Sequence, residues 1–549
     1  MTGSRTASIE HMLQFDHVIV GAGSAGCVLA NRLSASGLNR VLLLEAGPCA
    51  IAAMKSVAAD SYMNLSRFDW GYQSQPDPTR GGLTEPWPRG RVVGGTSSIN
   101  GMNWVRGARA DYDRWAALGN SGWAAEDIMP VFQSMERYTD GVRVSPGPDT
   151  RGRCGPLDVR EVRNAHPLTR AFIAAARSAG YPANPDYNSD QQEGVGYAQL
   201  NQYRGLRRSA ADAFLRKTLR RNNFRLLTEA LVKKLLIVNR RVIGVQYDCD
   251  GSVHEVRAGH VTLCAGAINS PKILLLSGIG KAEALRKLGI EVVLDRAAVG
   301  ENLSEHPLVR LIYRAKAPTY NPTEGLGQKA RFLAKFLVTG QGPLASIVEA
   351  QAFLKTTPQL NAPDVQMHFL PIGYCSSAGK RVVVLPYPSC AILVNKNHPA
   401  SRGRVSLASG DPKVPPLIHP NLLADERDVE TLVSGIKAAR RIMAATPIVD
   451  MIEEEVEPGG QHSAPDALSE YVRSHTGLAY HPAGTCRMGI DEDAVVRPDL
   501  RVRSIENLWI ADASVMPDLI SGNINAACMM IGWKAADIIS QRQPAIRIE

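Results

Sequence analysis

Three glycines near the start of the chain, Gly21, Gly23 and Gly26, stand in the order Gly-x-Gly-x-x-Gly, and Glu45 closes the next apolar run. This spacing suits a dinucleotide. The first glycine permits a tight turn, the second lets the backbone approach a pyrophosphate, and the third lets a helix pack closely on a strand. The N-terminus of the helix that follows then faces the phosphates with its unpaired N–H groups. Glu45 would accept hydrogen bonds from a ribose, and its charge repels a 2′-phosphate. A second run, GRVVGGTSSIN at residues 90–100, is too rich in glycine and hydroxyl groups for a core strand. Its N–H groups and small side chains could press on a planar or anionic ligand, or form a plain surface loop.

Elements must hold these residues in place. From Phe15 the sequence FDHVIVGAGSAGCVLANRLSASGLNRVLLLEAG reads as an apolar strand, an alanine-rich helix and a second strand at residues 41–44, a βαβ unit. A glycine-rich turn alone is weak evidence; with both strands, the helix and the terminal glutamate it predicts dinucleotide binding. Its place at the start of a long chain favours FAD, while NAD also fits this segment. Further along, the patterning predicts a helix at 167–179, strands within 224–238 and 241–247, a strand at 260–264 and a helix after Pro271. Residues 306–470 are richer in strands, as at 365–370 and 391–396, and are expected to form the substrate-facing sheet. A last strand begins at Leu508, and a helix begins around Asn525.

The bulk properties remove other classes. A chain of 549 residues exceeds one compact core, and 44% apolar with 21% charged residues is ordinary for a globular protein, so disorder and collagen-like repeats drop out. The net charge of +9 is spread along the chain, with short clusters at 204–208 and 216–221, which reads as solvated surface and not a nucleic-acid interface. Nine scattered cysteines without a C-x-x-C pair argue against a disulfide framework or a zinc site, and for a reducing compartment. No metal site is expected. No run approaches the roughly 20 apolar residues that span a bilayer. Residues 1–13 lack the apolar core of a signal peptide and are expected to be a disordered arm, with Met12 an alternative start to Met1. The expected location is the cytoplasm, in solution or peripheral to the inner face of the membrane.

Over nearly its full length from Phe15 the sequence resembles the glucose-methanol-choline oxidoreductases. The resemblance rests on ordered motifs: the N-terminal glycine fingerprint, GRVVGGTSSIN, GAINSPKILLLSGIG at 266–280, VGENLSEH at 299–306, YHPAGTCRMG at 480–489, DASVMP at 512–517 and GNIN at 522–525. Among relatives it looks most like bacterial alcohol, choline and sorbose dehydrogenases. The resemblance implies an α/β protein, α+β overall, in two parts. Residues 14–160, 200–305 and 471–545 would form a Rossmann-type FAD-binding domain. Residues 161–199 and 306–470 would form a substrate domain built on an antiparallel sheet flanked by helices. By matching, Gly21, Gly23, Ser24, Gly26, Glu45, Arg91, Gly95, Ser97, Asn100, Val232, Asp512 and Ala513 would bind FAD. Ile99 stands where some relatives carry a histidine linked covalently to the flavin, so non-covalent FAD is expected.

The implied chemistry is oxidation of an alcohol by hydride transfer to the flavin, with the flavin as acceptor and the protein managing the proton. His481 occupies the family's base position, since a histidine near its ordinary pKa suits proton removal at neutral pH. Asn525 is matched to the residue that hydrogen-bonds the substrate oxygen, and it also suits a helix N-cap. Asn523, His306 and His368 are read as structural. Glu349 is read as pocket-lining, with a cation anchor as the lesser reading. Primary alcohols, then short polyols or sugars, then choline-like compounds are the expected substrates, and a quinone-type acceptor is favoured over oxygen. The alternatives are an oxygen-using oxidase of the same family, a hydroxynitrile lyase, a non-enzymatic flavoprotein and a nicotinamide dehydrogenase. Oligomeric state is left open.

Overall fold

The computed structural model describes residues 14–56, 67–140, 150–321, 325–375 and 383–541. The expected N-terminal arm and the Met12 start lie outside the described residues. In chain order the framework begins with β1 (Gln14–Val20), α1 (Ser24–Leu33), β2 (Val41–Leu44), α2 (Pro167–Ser178) and β3 (Gly194–Tyr197). It continues through β4 (Phe224–Leu227), β5 (Leu231–Val238), β6 (Arg241–Cys249), β7 (Ser252–Leu263), α3 (Gly266–Leu276) and β8 (Pro307–Ala315). The remainder is α4 (Gly325–Thr339), β9 (Ala350–Leu354), β10 (Val365–Leu370), β11 (Ser389–Lys396) and α5 (Glu426–Met443), then β12 (Ile452–Glu457), β13 (Gly477–Leu478), β14 (Leu508–Ile510) and α6 (Asn525–Gln541).

The first sheet has the order β4-β2-β1-β7-β6-β5, with β14 also on β7. Strands β4, β2, β1, β7 and β14 pair in parallel and β5, β6 and β7 form an antiparallel meander. The long β7 serves both: its start pairs with β6 and its end with β1 and β14. The end of β1, Val18 to Val20, and all of β2 are buried Val, Ile and Leu, each such side chain stabilising the fold by about 1.5–3 kcal/mol. Helix α1 lies so close to the sheet that a Cβ on Gly26 would stand 2.0 Å from the Gly21 carbonyl oxygen.

The second sheet runs β12-β8-β11-β10-β9-β3, all antiparallel. Every residue of β10 is buried because both faces are covered: Val365, Met367 and Phe369 pack under helices, with Phe369 stacked on Phe172 of α2, while His368 and Leu370 line a cavity. Two local expectations change. Gly477–Leu478, assigned by sequence to the nucleotide-binding part, adds to β8 in the second sheet because it pairs with Pro307 and Leu308. Helix α3 starts at Gly266, ahead of Pro271. The proline lacks the N–H that would bond the Ala267 carbonyl, and the Thr485 hydroxyl donates to that oxygen instead at 2.6 Å.

Candidate active site

One cavity of about 1280 Å³ lies between the two sheets. It exceeds the usual small-molecule pocket of about 300–1,000 Å³, which fits a dinucleotide together with a substrate. The starts of three helices reach its wall: Ser24 of α1, Gly266 of α3 and Asn525 of α6. Such ends present unpaired N–H groups to an anion. Gly21, Gly23, Glu45, Gly95, Asn100, Val232, Asp512 and Ala513 also line it.

Each side chain at this end has a traceable local cause. Glu45 accepts from the N–H groups of Ala22 and Gly47, both at 2.9 Å, so it pins the glycine turn to the end of β2; burial pushes its carboxyl up to about 7. Asp512 accepts from Gly266 N, Ser270 Oγ, Ser514 N and Ser514 Oγ, so its carboxylate ties α3 to the turn that follows β14. Gly95 sits at φ 53°, and a Cβ there would be 2.7 Å from Gly23 Cα. Three expected cofactor residues stand behind the wall and not on it. Gly26 packs α1 on the turn, Arg91 donates to the Ala46 carbonyl at 3.3 Å beside Glu45, and Ser97 donates to Gly94 O while accepting from Ala210 N. Ile99 lines the cavity and packs with Met54, Phe68 and Val92, offering no nucleophile to a flavin.

At the other end His481 meets two partners. Its Nδ1 is 3.0 Å from His306 Nδ1, and its Nε2 is 3.0 Å from Asn523 Nδ2. The proton positions follow from the ends of this chain. The Asn397 carbonyl can only accept, so His306 Nε2, 2.9 Å away, carries a proton. His306 is neutral, burial pulling its pKa down to about 3, so its Nδ1 is an acceptor and His481 Nδ1 must be the donor. His481 Nε2 therefore holds a lone pair. The opposite side agrees: Gln366 Nε2 donates to Asn523 Oδ1 at 3.1 Å, which turns the asparagine's NH₂ toward His481. Gln366 also donates to Gln351 Oε1, and Gln351 to Asn103 Oδ1, so the amide is fixed by a buried chain.

The backbone around His481 is held as firmly. Glu305 accepts from the N–H groups of both His306 and His481, at 3.0 and 2.6 Å. Tyr480, just before the histidine, is at φ 65°, a conformation costly for a bulky side chain, and Arg89 donates to its carbonyl at 2.7 Å. Burial drives the His481 imidazole well below its ordinary pKa, with His306, His368 and Arg89 adding to the shift, so the ring is neutral at pH 7.

Two sequence readings change place here. Asn523, read as structural, is the asparagine on the His481 ring. Asn525, read as the partner of the substrate oxygen, accepts from Ser24 Oγ at 2.7 Å on the glycine turn, and its buried Nδ2 has no partner. Glu349 is not on the cavity wall. Its two oxygens accept from His166 N, Thr169 Oγ1 and Tyr320 OH at 2.7–2.8 Å, binding the start of α2 to the second sheet. With three donors around it the carboxylate is no cation anchor. His306 was also underrated by the sequence reading. It closes the VGENLSEH motif, but nothing in the spacing announces contact with a residue so distant in the chain. The orphaned Asn525 Nδ2, the three helix starts and the close glycines fit the pyrophosphate and flavin side of FAD.

Among the described residues no helix is long and apolar enough to cross a membrane, and no cluster of His, Cys, Asp and Glu could hold a metal. The N-terminal and C-terminal signatures of GMC oxidoreductases match residues 15–308 and 399–532. An oxygen-dependent choline dehydrogenase from Photobacterium profundum is 38% identical over 540 residues, 96% of this chain and 94% of that protein. An alcohol dehydrogenase [acceptor] from Pseudomonas putida is 37% identical over 544 residues, 96% of each chain. Among solved structures, pyridoxine 4-oxidase from Mesorbium loti superposes with a TM-score of 0.86 at 30% identity, covering 96% of this chain and 100% of that one. The chain therefore belongs to the GMC oxidoreductase family, and it is an FAD-dependent oxidoreductase that acts on CH–OH donors.

Proposed function

We propose that the enzyme oxidises a neutral alcohol, a primary alcohol with an apolar body ahead of a polyol or sugar, and passes the electrons to a quinone-type acceptor. The observation that carries this reading is the lone pair on His481 Nε2 with Asn523 Nδ2 3.0 Å away. A substrate hydroxyl that takes the place of this contact donates to Nε2 and accepts from the amide. The O–H proton goes to His481 as the carbon gives up its hydride, and Asn523 stabilises the charge growing on oxygen. FAD, when bound, supplies the hydride acceptor. His306 Nδ1 steadies the imidazolium by accepting from Nδ1–H, so it is a positioning residue. Asn525 is assigned to the cofactor side.

The substrate class is supported by the wall contributed by the second sheet and its neighbours, which includes Leu308, Ile347, Val348, Leu370, Ile372 and Leu393. Two carboxylates of the wall, Glu457 and Glu85, are held by Arg310 and Arg80, which disfavours a quaternary ammonium headgroup. The acceptor is supported by the similarity to the alcohol dehydrogenase [acceptor], and a cytoplasmic, peripheral location by nine free thiols and the basic surface.

Anaerobic mixing with a panel of alcohols tests the first half, with flavin bleaching as the readout. Apolar primary alcohols should bleach it fastest; preferential bleaching by choline would sink the substrate class. For the acceptor, the reduced enzyme is mixed with air-saturated buffer or with a soluble quinone. Turnover-competent reoxidation by oxygen, with stoichiometric hydrogen peroxide, would make the enzyme an oxidase.

A further inference from the structure

Helix α4 carries its apolar residues on the wrong side for a globular protein. Leu326, Ala330, Leu333 and Leu337 recur at i, i+4, i+7 and i+11, the spacing of a core-facing stripe, yet Leu326, Leu333 and Leu337 are 83%, 50% and 73% exposed and Ala330 is exposed too. Val338, off the stripe, is 85% exposed. The helix is held to the protein by its opposite side. Gln328 is buried and donates to the Asn321 carbonyl, Phe332 meets Tyr320 edge-on at 5.6 Å, and Phe336 packs beside Gly205. The outward orientation is therefore fixed by specific contacts, and the stripe is offered to something else.

Charge identifies that partner. Lys329 flanks one edge of the stripe and Arg331 stands beyond Val338 on the other, while Lys335 lies further round toward His166 and Glu349; all three are exposed, and the helix contains no Asp or Glu. Beside it the 202–207 hairpin adds exposed Leu206 and Arg204. A second copy of the chain laid on this face by two-fold symmetry would bring the same cations together with no carboxylate of the helix to pair them. Fifteen residues with three cations cannot cross a bilayer, but an apolar stripe between basic edges matches a helix lying in the headgroup layer.

We propose that α4 and the 202–207 hairpin dock the enzyme on an anionic lipid surface, the leucine stripe entering the acyl boundary and the cations pairing with headgroup phosphates. The segment after α4 leads to Ile347 and Val348 on the cavity wall, so docking sets this side of the cavity against the bilayer. The inference gives the peripheral membrane contact a surface and does not depend on which alcohol is oxidised.

The test is cosedimentation of the FAD-loaded enzyme with vesicles of equal parts phosphatidylcholine and phosphatidylglycerol, and with phosphatidylcholine alone. Binding should occur with the anionic vesicles and weaken as salt rises. Leu333→Glu with Leu337→Glu should abolish it, and Lys329→Gln with Arg204→Gln should weaken it by roughly fivefold or more per charge. These exposed substitutions should leave flavin absorbance and soluble-dye turnover unchanged, which separates failure of docking from failure of the catalytic reading. Absence of binding by the parent enzyme, or equal binding by the glutamate variant, would overturn the proposal. So would light scattering showing a dimer that the glutamate variant disrupts.

Discussion

The two ends of the cavity are built on different principles. The glycine end is made from backbone: helix starts, the turns at Gly21 and Gly95, and carboxylates such as Glu45 and Asp512 spent on holding those turns. The histidine end is made from side chains of remote segments, with His306 at the start of β8, Gln366 on β10, His481 after β13 and Asn523 before α6. A diphosphate needs only N–H groups at the right approach, which a short motif can supply. Proton removal needs one nitrogen of one ring in one tautomer, and that takes partners on both sides of the ring.

The largest break in this contrast comes from Gly95→Val. Its Cβ would collide with Gly23 Cα, a backbone atom that cannot swing aside, so the purified variant should lack flavin absorbance altogether. Normal flavin content would show that the cradle has slack. In the parent enzyme acid precipitation should leave FAD in the supernatant, because Ile99 cannot link to it.

At the opposite end His481→Ala should keep its flavin and lose about 10²–10⁴-fold in the rate of flavin reduction. The parent's pH profile adds the sign. The base works deprotonated, and its pKa in the folded protein lies well below 6.5, so kcat/KM should stay level through pH 6.5 and fall only under more acidic conditions. An acid limb centred at or above that value would assign the limb to another group.

The asparagine pair sharpens the comparison further. Asn523→Ala should cost about 2–4 kcal/mol in flavin reduction at full flavin loading, as loss of one donor to a developing oxyanion does. Asn525→Ala should act on flavin retention instead, since its side chain meets Ser24. The opposite pattern would restore the assignment made from the motif. Smallest of all is Glu349→Gln. An amide can still accept from His166 N and Thr169 and donate to Tyr320, so stability should change by about 1 kcal/mol or less and kcat/KM by under about twofold. A collapse of substrate affinity would return Glu349 to the pocket.

Local order along the chain encodes the nucleotide-binding end. The βαβ unit, the glycine cradle, Glu45 at the strand end, the runs of buried strand at 41–44 and 365–370, and the family with its FAD all follow from patterns a few residues long. Which side chains meet is set by the packing of remote segments. Asn523 and Asn525 are two positions apart where the chain enters α6, and residues so spaced leave a helix start in different directions, so one reaches His481 and the other Ser24. Glu349 sits next to a strand whose neighbours line the cavity, yet three donors near the start of α2 draw it away. The lone pair on His481 Nε2 depends on a carbonyl at Asn397 and an amide at Gln366, contacts made only when the second sheet packs against the C-terminal loops. Phosphate binding by a backbone turn is a local property of the chain, whereas the direction of a proton is set by whatever the fold brings to both sides of the ring.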